Sequence, residues 1–70
     1  MTTKPREPWR VILTQGGAQL AEIGHTSEAK AFAHVRTGLR SGADTARVMK
    51  WEDGRWWHFE TMTAAEIPDA

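Results

Sequence analysis

The pair Asp53-Gly54, at the centre of "WEDGRWWHFE" (residues 51 to 60), limits what this chain can fold into more than any other feature. Asp-Gly between two runs rich in aromatic and β-branched side chains marks a two-residue hairpin turn, and such a turn sets the register of both strands. Counting outward, Glu52 faces Arg55, Trp51 faces Trp56, Lys50 faces Trp57, Met49 faces His58, Val48 faces Phe59 and Arg47 faces Glu60. One face of the hairpin then carries Ala46, Val48, Trp57 and Phe59. The other carries Met49, Trp51, Trp56, His58 and Met62. Both faces are apolar, whereas a sheet with one solvated face alternates cleanly between apolar and polar residues.

Upstream, "WRVILT" has strand composition and ends at "QGGA". A three-residue loop, Gln15 to Gly17, with Gly17 left-handed, sets Thr14 opposite Ala18 and Arg10 opposite Glu22. It places Trp9, Val11 and Leu13 beside Ala21 and Ile23. A two-residue Gly-Gly turn instead sets Val11 opposite Glu22, mixing charge with core, so the longer loop is preferred. "HTSEAKAFAHVRTGLRSG" reads as the one helix, capped by Thr26 or Ser27, with Glu28 at the positive end of the helix dipole. Phe32, Val35 and Leu39 form its apolar stripe, Lys30, His34 and Thr37 point away, and Gly38 or Gly42 supplies the C-terminal cap.

These segments predict an α+β domain of order ββαββ: a four-stranded, mainly antiparallel sheet with one helix packed on one face. Residues 1–8 read as a flexible leader, 9–62 as a single domain and 63–70 as a short or disordered tail, with a capping box from Thr63 to Glu66 cut off by Pro68. The expected core is Val11, Leu13, Ile23, Phe32, Val35, Leu39, Val48 and Phe59. A chain of 70 residues without cysteine has neither disulfides nor thiolate metal sites to reinforce a small core, so dense packing or oligomerisation must do so.

Nine basic and nine acidic residues cancel, which removes any global attraction to nucleic acid or an anionic membrane. No apolar run suits a signal peptide or a membrane span, and a cytoplasmic, soluble domain is expected. Chemistry is sparse. Ser27 and Ser41 sit where helix capping explains them, no nucleophile-elbow motif occurs, and "QGGA" lacks the following helix of a phosphate cradle. His25, His34 and His58 lack the spacing that holds a metal on one helix. No catalytic residue, metal site or cofactor is expected, and the chain reads as a non-enzyme.

The remaining signal is the second face of the Asp-Gly hairpin. A single helix covers one face only, so the leader, the tail with Ile67, a second copy of the chain or another molecule must cover the other. Simple core packing at a bent hairpin tip competes with this reading. Tryptophan and methionine are typical of interface cores, so Met49, Trp51, Trp56 and His58 are the expected binding residues for a protein partner or a homodimer, in an adaptor or inhibitor type of module. The alternative is nucleic acid, stacked on the same aromatics and held by Arg36, Arg40, Arg47 and Lys50. Glu52, Asp53 and Glu60 in the same hairpin oppose it by repelling phosphates.

Overall fold

The structure is a computed structural model and describes residues 6–66. The element order is β1 (Trp9–Gln15), β2 (Ala18–His25), α1 (Glu28–Arg40), β3 (Thr45–Glu52) and β4 (Arg55–Thr63), with a 3-10 turn at Ala64–Glu66. The strands form one sheet in the order β2-β1-β3-β4, and each neighbouring pair is antiparallel. This is the ββαββ α+β fold that the sequence predicts. Of the leader, Met1 to Pro5 lie outside the described residues, and the Pro8 carbonyl accepts a hydrogen bond from the Trp51 amide at 2.7 Å, prolonging the β1–β3 ladder. Of the tail, Ile67 and Pro68 lie outside them too, while the Thr63 hydroxyl donates to the Glu66 carboxylate at 3.3 Å across the single turn.

Both hairpins use the same device. Gly16 and Gly17 have φ of 57° and 83°, and Asp53 and Gly54 have 52° and 80°, so each turn has two residues with positive φ, the pattern whose twist suits antiparallel strands. The expected three-residue loop at Gln15 to Gly17 is therefore wrong: Gln15 pairs with Ala18. What rescues the core is a bulge. Thr14 pairs with Gln19 but Leu13 pairs with Ala21, leaving Leu20 as an extra residue, and Val11 then faces Ile23. Arg10 lies opposite Gly24 rather than Glu22, yet its guanidinium reaches the Glu22 carboxylate diagonally at 2.9 Å.

In the second hairpin the expected register holds from Glu52 opposite Arg55 to Met49 opposite His58 and then shifts. Val48 pairs with Glu60 and Arg47 with Thr61, so Phe59 is the extra residue. Every side chain beyond the bulge changes phase. Met62, expected on the face with Trp51, instead pairs with Ala46 and packs against the core under the helix.

The core is Trp9, Val11, Leu13, Ala31, Val35, Leu39, Ala43, Ala46 and Val48. Val11, Leu13, Val35, Leu39 and Val48 match expectation. Ile23 and Phe59 do not, being 43% and 45% exposed, and Phe32 is only partly buried. The reason is geometric: the helix lies over β1 and β3, the central strands, and leaves the outer strands β2 and β4 under-covered. Small residues allow its close approach. A Cβ on Gly38 would stand 2.7 Å from both Leu13 methyls, so Gly38 is a contact point and not the cap. The cap is a Schellman arrangement: Gly42 takes φ of 120°, and the Ala43 amide donates to the Gly38 carbonyl at 3.1 Å. At the other end Ser27 is extended, and its Oγ accepts from the Lys30 amide at 3.2 Å.

Candidate functional site on the open sheet face

Alternation along the strands separates the sheet into two faces. Val11 and Val48 point to the helix, so their neighbours Arg10, Ile12, Arg47, Met49 and Trp51 lie on the opposite face. Trp51 pairs with Trp56 and Met49 with His58, which brings all four expected binding residues together on that face. Ile12, Met49, Trp51 and Trp56 are half-buried although no helix or strand of the described residues lies over them. They shelter one another. The Trp51 and Trp56 rings meet edge to face at 5.5 Å, and the Arg10 guanidinium stacks on Trp56 at 4.3 Å while holding Glu22. Exposed His58 is anchored by a 2.6 Å contact between Nε2 and the Thr61 hydroxyl.

Arg10 and Ile12 join this site without having been expected in it. The signal was available, because in the first hairpin they alternate with Trp9, Val11 and Leu13, but their strand becomes part of the site only once β1 and β3 are neighbours. At the β2 margin Arg6 and Glu7 lie beside Arg10, Glu22 and Gly24, around an open depression of about 410 Å³. A Cβ on Gly24 would meet the Glu7 side chain at 2.7 Å, so the leader's last residues rest against this margin.

The cations expected to hold nucleic acid are divided by the sheet. Arg47 is on the open face, paired with Ile12 and Thr61. Lys50 is on the helix side, 5.3 Å above the Trp9 ring and 3.2 Å from the Glu52 carboxylate. Arg36 and Arg40 are exposed on α1, likewise on the far side of the sheet from Trp51 and Trp56. A second group of aromatics also lies on the helix side. Phe59 meets Trp9 edge to face at 4.9 Å and Phe32 at 6.1 Å. Nearby Trp57, 42% exposed, carries the Arg55 guanidinium at 3.6 Å and donates from Nε1 to the Glu52 carbonyl.

The histidines divide as well. His34, expected to point away, turns back from α1 to the end of β2, where its Nδ1 lies 2.8 Å from Nε2 of His25. His58 is on the opposite face. Partial burial, and then the charge of His25, hold His34 below the ordinary histidine pKa. Among the described residues no three His, Cys, Asp or Glu side chains gather as metal ligands, and no helix is long and apolar enough to cross a membrane.

No protein-family model matches the chain, and neither do any curated proteins or solved structures.

Proposed function

We propose that the protein is a non-catalytic interaction module that binds a protein, either a second copy of itself or a different chain, through the open sheet face. The observation that carries this reading is the continuous apolar strip of Ile12, Met49, Trp51 and Trp56 across β1, β3 and β4, with Arg10, Arg47 and His58 at its border. A Trp and Met centre with a polar rim that includes arginine is the anatomy of protein interfaces. Nucleic acid is the weaker reading, because three of its four expected cations lie on the other side of the sheet and the net charge is zero.

The test begins with solution mass by light scattering for the native chain, Trp51→Ala and Trp57→Ala. A dimer that Trp51→Ala dissociates and Trp57→Ala leaves intact assigns the face to self-association. If the native chain is monomeric, photo-crosslinking from position 49 in its own cells is the next step. A cross-linked protein lost with Trp51→Ala and kept with Trp57→Ala supports a different partner. A monomer with no such cross-link rejects protein binding. Oligonucleotide binding that falls steeply with salt points to the alternative.

A further inference from the structure

The junction of β2 and α1 holds chemistry that the open-face reading does not use. His25 closes β2, two residues turn the chain, and α1 begins at Glu28, so a short strand-turn-helix corner brings the residues at 25 and 34 together. Two ring nitrogens 2.8 Å apart, contributed by two different elements, are the beginnings of a chelate. We propose that His25 Nε2 and His34 Nδ1 bind a divalent transition-metal ion, copper(II) or nickel(II) in preference to zinc(II), with water at the remaining positions.

The preference follows from the spacing. With metal–nitrogen bonds of about 2.0–2.1 Å, two ligands at a right angle stand about 2.9 Å apart, and two tetrahedral ligands about 3.4 Å. A tetragonal ion therefore fits the existing separation. The rings, tilted by 60° to each other, need only rotate so that both lone pairs meet at one point. A tetrahedral ion requires the strand and helix to part by about half an ångström. In the metal-free chain the same contact is a hydrogen bond in which one imidazole donates and the other accepts, which already holds both rings at the corner. Neutral imidazole is the form that ligates, and partial burial favours that form at His34. The order of affinities among divalent ions points the same way, with copper(II) the tightest.

The experiment is an NMR titration of the full chain with CuCl2, NiCl2 and ZnCl2, following the three histidine ring signals, paired with calorimetry on His25→Gln, His34→Gln and His58→Gln. Substoichiometric copper is expected to broaden His25 and His34 before His58. Copper affinity is expected to fall at least tenfold in His25→Gln and in His34→Gln and to be unchanged in His58→Gln. Broadening that starts at His58 or spreads evenly over the three rings overturns the proposal, as does affinity indifferent to both substitutions. The titration needs only the native chain, so a variant that fails to fold does not blunt it. Tighter binding of zinc than of copper would overturn the geometric preference.

Discussion

Gly38 shows how much a single missing carbon controls here. It sits inside a helix, where alanine is ordinarily favoured by about 1 kcal/mol, yet an added Cβ would stand 2.7 Å from both methyls of buried Leu13. Overpacking of this kind costs about 1–3 kcal/mol. Gly38→Ala is therefore expected to lower the urea midpoint despite its better helix propensity, and Leu13→Ala in the same chain to recover part of that loss in a double-mutant cycle. His34 gives a second prediction at this scale. Its pKa is lower in the folded state than the ordinary 6.5, so the unfolded chain holds the proton more readily, and stability falls as pH drops through that value. Below the folded-state pKa the loss levels off. Urea midpoints in chelator-treated buffer should be lower at pH 5.5 than at pH 7.5, and His34→Gln should remove part of the difference. The residue is only partly buried, so a modest effect is expected. The sequence placed Leu13 and Val35 in the core and narrowed the helix cap to Thr26 or Ser27, because capping and periodicity act locally. It missed the His25–His34 contact because nine residues of separation acquire meaning only after a strand and a helix have packed.

At the scale of elements, the two bulges decide which side chains reach the helix. The Asp-Gly turn was legible from composition, and so was the register next to it. Leu20 and Phe59 carry no compositional mark of being extra residues. The one hint was indirect: a two-residue Gly-Gly turn in an unbroken register sets Val11 opposite Glu22, a mismatch that an inserted residue corrects. Phe59 and Met62, three residues apart, share the helix side only because of the second bulge. Deleting Phe59 should straighten β4 with Met62 still opposite Ala46, and remove both the edge contact with Trp9 and the extra twist that the bulge gives the strand. The urea midpoint of the deletion variant should fall further than that of Phe59→Ala, whose expected cost is about 1–2 kcal/mol for a half-exposed ring. Equal losses in the two variants would mean that the bulge has no influence on packing.

For the whole molecule, four strands and one helix leave an imbalance of cover that was readable in the sequence as a hairpin apolar on both sides. Its spatial outcome was not, because strand order decides which residues border the aromatic strip: β1 beside β3 brings Arg10 and Ile12 into it, and Lys50 falls on the other side. The same order carries another consequence. β1 and β3 form the central seam, pairing Trp9 through Thr14 with Lys50 through Thr45, and they belong to opposite halves of the chain. Each hairpin is local, and the loop from Ser41 to Asp44 is the only covalent link between the halves. Separately made fragments 1–41 and 42–70 are therefore expected to reassemble on mixing by zipping that seam, with circular dichroism reporting the recovered sheet. Such a pair would be a genetically encodable two-part tag, whose halves meet along a ladder and carry three tryptophans on one side of the cut to signal the meeting.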